Sequence, residues 1–269
     1  MYPNALFFGI TLYDLCLALG AVAALVLFRI LSDKTHLSAR KTNLALVGGL
    51  CGFGLGLFTA TLLQAFYNYM AGEPFAIVAN TGATFYGGLI GGVAAFLAVY
   101  FPIGLLVFGK SDDKRYHIRH FFDIASSAIP GVIVAHGFGR LGCLTAGCCH
   151  GAPTEAWYGI KMYGDLGYAK YVPVQLFEAL FLFALFGLLF IRAKEGKGYH
   201  LPLYMWSYGA WRFLAEFLRA DYRGSVGIDA VTPSQLIAIL MIIGGVGVYF
   251  LEKAVMRRIG ALEAAEKDE

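Results

Sequence analysis

The sequence predicts an all-α membrane protein, a polytopic bundle of about seven transmembrane helices with the N-terminus outside and the C-terminus cytoplasmic. Three observations carry this reading. Of 269 residues, 58% are hydrophobic and only 14% charged, with a mean hydropathy of +0.65, whereas soluble domains carry about a quarter charged residues. Apolar stretches of the ~20 residues that a helix needs to cross a bilayer recur along the whole chain. Lys and Arg gather in alternate loops, the asymmetry that short cytoplasmic loops develop.

The stretches fall at 8–31, 43–67, 84–108, 121–139, 173–191, 201–219 and 230–251. The first has no basic residue before it and exceeds the apolar region of a signal peptide, so it reads as a retained span. Asp123, Pro130 and His136 interrupt the fourth stretch, and Arg212 and Glu216 interrupt the sixth. Orientation follows from the loops. Arg29, Lys34, Arg40 and Lys41 flank the end of the first span; Lys110, Lys114, Arg115 and Arg119 follow the third; Arg192, Lys194 and Lys197 follow the fifth. Lys253, Arg257, Arg258 and Lys267 lie in the tail, so 15 of the 21 basic residues share one side. The net charge of +3 arises from this asymmetry, and no nucleic-acid partner is expected. With no internal repeat or long linker, residues 1–269 read as a single transmembrane domain with small periplasmic arm or lid segments at 67–83, 140–172 and 219–230. Tyrosines and Trp157 in these segments suit a membrane interface.

The chemistry concentrates in 136–151, HGFGRLGCLTAGCCHG. Its G-x-G-x-x-G at 137–142 has the form of a dinucleotide fingerprint, but that loop works only between a strand and a helix in a soluble unit. Here it closes a membrane helix. Cys143, Cys148, Cys149 and His150 lack the second, separated ligand pair that structural zinc sites use, so no metal is expected. Two readings of the thiols remain open: a disulfide from Cys143 to Cys148 or Cys149 on an oxidising side of the membrane, or small residues packed between close helices. Arg140 is harder to set aside, because a charge at membrane depth is costly unless paired or hydrated and marks function by default.

The sixth stretch contains Tyr208, Arg212, Glu216 and Arg219 at spacings of four, four and three, which place them on one helical face. Glu216 can pair with either arginine, lowering the cost of burying it. With the N-terminus outside, this ionic half approaches the outer leaflet at the level of Arg140. Three arginines there suggest an anionic ligand, and a phospholipid phosphate fits the bidentate geometry of guanidinium groups.

Four motifs in order, T-F-Y-G-G-L-I-G at 84–91, G-R-L-G-C-L-T-A-G-C-C-H-G at 139–151, V-P-V-Q-L-F-E-A at 172–179 and Y-G-A-W-R-F-L-A-E-F-L-R at 208–219, resemble the prolipoprotein diacylglyceryl transferase family. The resemblance covers nearly the whole chain. It implies transfer of a diacylglyceryl group from phosphatidylglycerol to the lipobox cysteine thiol of a prolipoprotein, releasing glycerol phosphate, with no cofactor. By resemblance, Arg140, Arg212 and Glu216 are catalytic. Tyr13, Gly87, Gly88, Gly142, Cys143, Gly151, Gln175, Glu178, Tyr208 and Arg219 are substrate-binding. The chain departs from the family pattern at Tyr86, where a histidine is usual, at Cys143, where asparagine is usual, and at Cys148, where an acid is common. Tyr86 takes the histidine's place, and His136, one helical turn before Arg140, is the better base on titration grounds. The expected partners are a phospholipid donor, a prolipoprotein or other nucleophilic acceptor, and membrane lipids in a bacterial cell membrane, with the active site toward the outer leaflet. The alternatives are a related lipid-headgroup transferase with another acceptor and a non-catalytic phospholipid carrier or transporter.

Overall fold

The apolar stretches fold as helices, described in a computed structural model for residues 9–33, 37–78, 81–82, 84–108, 117–164, 167–219 and 231–265. In chain order these are α1 (Leu12–Ser32), α2 (Ala39–Met70), α3 (Phe85–Ala98), a π turn (Val99–Ile103), α4 (Gly104–Phe108), α5 (His117–Ala146), α6 (Val174–Lys194), α7 (His200–Ala215), a 3-10 turn (Glu216–Leu218) and α8 (Pro233–Ala265). Between α5 and α6 lie strands β1 (Ile160–Gly164) and β2 (Gly167–Tyr171). Six described helices are long and apolar enough to cross a membrane, and the chain is a multi-pass membrane protein. The stretch predicted at 201–219 is helical but shorter: α7 has 16 residues before the 3-10 turn, about 24 Å at the helical rise against a hydrocarbon core of about 30 Å.

The chain divides into two compact units, one of Met1–His36 with Phe121–Glu269 and one of Leu37–His120. In the second unit, α2 and α3 pack through glycines. A Cβ built on Gly52 would stand 2.8 Å from the Gly92 carbonyl oxygen, and one on Gly56 would stand 2.9 Å from that of Gly88. Small residues are what allow membrane helices to approach this closely. The Thr84 hydroxyl caps α3 by accepting from the Gly87 amide, and Thr59 donates to the Gly87 carbonyl at 2.8 Å. Pro102 lies inside the π turn, where its missing amide proton breaks the regular ladder.

In the first unit α1 opens with a reciprocal capping box between Thr11 and Asp14. It then packs on α5 through Gly20, whose absent Cβ would meet the Ala135 backbone at 3.0 Å, and through Gly131, which faces the Ala24 carbonyl. Ile129 and Ile133 of α5, Leu182, Leu185 and Leu189 of α6 and Tyr208 of α7 form a buried core. Phe181 stacks on Trp211 with centroids 4.7 Å apart. Leu19 and Val22 of α1 and Ile243 and Phe250 of α8 remain exposed, as side chains directed at lipid would be.

The arm read from sequence at 140–172 contains a structure that its composition did not announce. α5 continues into it to Ala146, and β1 and β2 then pair antiparallel with Ile160 opposite Tyr171 and Gly164 opposite Gly167. Met162 and Tyr171 are buried, while Tyr163, Tyr168 and Trp157 are exposed. The arm read at 67–83 begins as the end of α2 and continues as an exposed loop over 71–78. Of the third arm only Arg219 is described; 220–230 lie outside the described residues.

Candidate functional site

Three helices of the first unit meet around one carboxylate. Glu178, one turn into α6, is almost wholly buried, and its Oε1 accepts the Tyr208 hydroxyl at 2.6 Å and lies 3.0 Å from Nε of Arg140. The Arg140 guanidinium also donates to the Tyr208 hydroxyl through Nη2 at 3.4 Å. His136, four residues before Arg140 on α5, presents Nε2 at 3.9 Å from the same carboxylate oxygen, and its Nδ1 lies 3.1 Å from the Tyr204 hydroxyl. The rings of His136 and Tyr208 meet edge to face at 4.7 Å. Each helix supplies its groups at i and i+4 or as a single residue, so α5 and α7 each turn two polar side chains toward Glu178. A charge buried this way persists only when paired and hydrogen-bonded, and here Glu178 supplies the pairing. The Arg140 side chain keeps 17% of its surface against 2% for Glu178, so the arginine, not the acid, remains accessible.

A second ionic cluster lies at the end of α7. Arg212 pairs with Glu216 at 2.8 Å and donates to the Ser234 hydroxyl at 2.7 Å. The Thr232 hydroxyl donates to the other oxygen of Glu216 at 2.9 Å. Glu216, expected to pair with Arg212 or Arg219, pairs with Arg212, four residues before it on the same helical face. Arg140 has a separate acid, Glu178 of α6. Tyr208, expected on the face of Arg212 and Glu216, turns its hydroxyl to Arg140 and Glu178. Arg219 follows the 3-10 turn, its amide bonded to the Glu216 carbonyl.

Between these clusters runs the loop 147–152. Gln175, one turn before Glu178, donates to the Cys148 carbonyl at 2.8 Å. The Gly151 amide donates to the Val172 carbonyl at 2.8 Å and the Ala152 amide to the Leu218 carbonyl at 3.1 Å. A Cβ on Gly151 would collide with the Leu218 carbonyl oxygen and the Val174 side chain, which explains a glycine there. Gly142 faces the Tyr13 ring, where a Cβ would stand 2.9 Å away, so Tyr13 of α1 lies against α5 half a turn beyond Arg140. Cys143 and Cys148 come together with Cys149, all three sulfurs within 4.8 Å of one another. All five cysteines are thiols.

Gly87 and Gly88 belong to the second unit, where both pack against α2. Tyr86 lies in the first turn of α3, with its side chain outside what is described. Sequence reasoning missed Tyr204, Thr232 and Ser234. Tyr204 had a signal, since it extends the four-residue series of Tyr208, Arg212 and Glu216 back by one turn. Thr232 and Ser234 open α8 as an ordinary T-P-S-Q helix start, and nothing local announces that their hydroxyls reach α7.

Six described helices long and apolar enough to span a bilayer, with an ionic network buried among α5, α6 and α7, define a polytopic membrane protein with a charged centre among those three helices. The prolipoprotein diacylglyceryl transferase family matches residues 3–251; the chain belongs to this family of transferases. The phosphatidylglycerol--prolipoprotein diacylglyceryl transferase 2 of Clostridium perfringens is 33% identical over 260 residues, covering 91% of this chain and 93% of its own. The corresponding transferase of Clostridium tetani is 31% identical over 255 residues, covering 91% and 95%. That of Dehalococcoides mccartyi is 25% identical over 242 residues, covering 86% and 84%.

Proposed function

We propose that this chain transfers a diacylglyceryl group from phosphatidylglycerol to a thiol acceptor, the lipobox cysteine of a prolipoprotein, at the outer leaflet of a bacterial inner membrane. The N-terminus then lies outside and the C-terminus in the cytoplasm. The acceptor sulfur attacks the glycerol carbon that bears the phosphate ester. A carbon–sulfur bond forms, the carbon–oxygen bond breaks, and glycerol phosphate leaves with the electron pair while the thiol proton passes to a base. The observation that carries the reading is Arg140, ion-paired to buried Glu178 yet still accessible, within the signature that ties the chain to its family.

In this scheme Arg140 and Arg212 hold the donor phosphate and stabilise the negative charge of the leaving group, an effect worth about 2 to 4 kcal/mol when such a preorganised donor is lost. Glu178 and Tyr208 fix the guanidinium of Arg140; Glu216 and Ser234 fix that of Arg212. Oriented in advance by these partners, the two arginines need little reorganisation as charge develops. His136, held between Tyr204 and Glu178, is the base that takes the thiol proton. In the same scheme Tyr13, Gly142, Cys143, Gly151, Gln175 and Arg219 of the first unit serve substrate binding.

The test is turnover of a lipobox peptide with phosphatidylglycerol by purified protein, read by mass spectrometry of the lipidated peptide and of glycerol phosphate. Arg140→Ala and Arg212→Ala, shown to be folded by size exclusion and thermal melting, are expected to lose at least about 100-fold in rate. Near-normal turnover in both sinks the reading. Phospholipid binding without glycerol phosphate release would favour a carrier instead.

A further inference from the structure

Three thiols gather where α5 gives way to the loop beyond it. Cys143 lies in the last turn of α5, and the chain reverses through two left-handed residues, Gly147 at φ 76° and Cys149 at φ 61°. A left-handed backbone is routine for glycine but uncommon for cysteine, and it costs free energy that the surroundings must offset. The reversal is fixed by the Gly147 amide on the Leu144 carbonyl and the Cys148 amide on the Cys143 carbonyl at 3.1 Å. Gln175 holds the Cys148 carbonyl from α6. The sulfurs of Cys143, Cys148 and Cys149 are thereby brought within 4.8 Å of one another.

From this geometry we infer that Cys143, Cys148 and Cys149 form a binding site for one soft closed-shell cation, Zn²⁺ or Cu⁺. A metal–sulfur bond of about 2.3 Å requires sulfurs about 3.8 Å apart in tetrahedral and about 4.0 Å apart in trigonal geometry, so only small movements of the thiols close the site. Soft thiolates select these ions over Mg²⁺ or Ca²⁺. On binding, each coordinating thiol gives up its proton to solvent and a sulfur–metal bond takes its place. Cys148 is exposed, which gives the ion an entry path and leaves room for a water as a fourth ligand of Zn²⁺. His150 is engaged elsewhere: its Nδ1 contacts the Gly151 carbonyl at 3.1 Å and its ring lies 4.2 Å from that of Tyr171. Sequence spacing argued against a metal because it offers no second ligand pair in another hairpin. A helix end and the reversed loop after it supply the third ligand instead.

The experiment uses full-length protein in detergent, purified and reduced without oxygen, then freed of reductant. Zn²⁺ and Cu⁺ are titrated separately against chromogenic chelators, and the loaded protein is measured by X-ray absorption. At least one of the two ions is expected to bind at one equivalent per chain with a shell of three sulfurs. Cys148→Ser and Cys149→Ser should each weaken it at least about 100-fold, the upper end of what losing an outer-shell partner alone costs, while Cys51→Ser in α2 leaves it unchanged. The inference is overturned if neither ion binds stoichiometrically, if the serine variants bind as tightly as the parent, or if the shell holds only nitrogen and oxygen. It is equally overturned if anaerobic alkylation finds two of the three thiols locked as a disulfide in protein that resists reduction. Because the readout is metal binding, its failure leaves the transferase reading standing, and the reverse also holds.

Discussion

The two arginine–carboxylate pairs of the first unit are built on different plans. Arg212 and Glu216 stand four residues apart at the end of α7 and meet across one helical turn, aided by Thr232 and Ser234 from the start of α8. Arg140 and Glu178 come from different helices and meet only because α5, α6 and α7 pack with matched rotation; the Arg140–Tyr208 contact spans 68 residues of sequence. The first pair is a local contact that tertiary structure reinforces. The second exists only through the tertiary structure, and it is the more buried on its acidic side, with the Glu178 side chain 2% exposed against 7% for Glu216. Support for a reactive charge therefore comes here from two sources, and breaking each has a distinct consequence.

The largest effect is expected from Glu178→Gln. It leaves the Arg140 charge without a counter-ion among three packed helices, where removing one partner of a buried pair costs about 3 to 5 kcal/mol. Thermal denaturation in detergent should show a clear loss of stability, and transfer should fall at least tenfold. A double substitution with Arg140→Gln should recover part of the stability, because the orphaned charge is then gone. An unchanged melting temperature in the single variant would mean that the contact does not hold the helices together.

A smaller effect is expected from Glu216→Gln. Arg212 keeps the Ser234 hydroxyl, and the amide still accepts a hydrogen bond, so the loss should stay within the ~1.5 to 3 kcal/mol of a hydrogen bond to a charged group. If it equals the loss in Glu178→Gln, the contrast between local and tertiary pairing fails. The smallest effect belongs to Tyr204→Phe, which removes the hydroxyl beside His136 and keeps the ring stacked on Tyr208 at 5.7 Å. About 0.5 to 1.5 kcal/mol of stability is at stake. The rate should fall more than the stability if that hydroxyl orients the histidine, and a rate unchanged at every pH would deny Tyr204 that role.

The contrast also separates what could be read in advance. Every spanning stretch was visible as an apolar run, since hydropathy reports the cost of leaving water directly. α7 was visible too, with its ionic face given by the four-residue spacing of Tyr208, Arg212 and Glu216. Its end was not: the helix tightens into a 3-10 turn at Glu216, whose carboxylate accepts from Thr232 at the start of α8. The hairpin of β1 and β2 was hidden because its alternation is short and sits inside a segment that reads as an interfacial arm. The thiol cluster was visible as composition, yet its meaning depended on a left-handed reversal at Gly147 and Cys149 that spacing alone does not specify.

By itself the sequence determined the membrane class, the positions of the helices, the family and the residue types of the charged centre. These follow from terms that act locally, namely hydration of apolar side chains and the 3.6-residue period that puts Arg212 and Glu216 on one face. Only the tertiary structure decided that Glu178 is the partner of Arg140, that Tyr208 bridges them, and that three thiols converge beside them. Those choices depend on how each helix is rotated about its axis and how closely glycines such as Gly20, Gly131 and Gly142 let α1 approach α5. Such packing is a sum of many weak contacts between distant segments, and no window of neighbouring residues contains it.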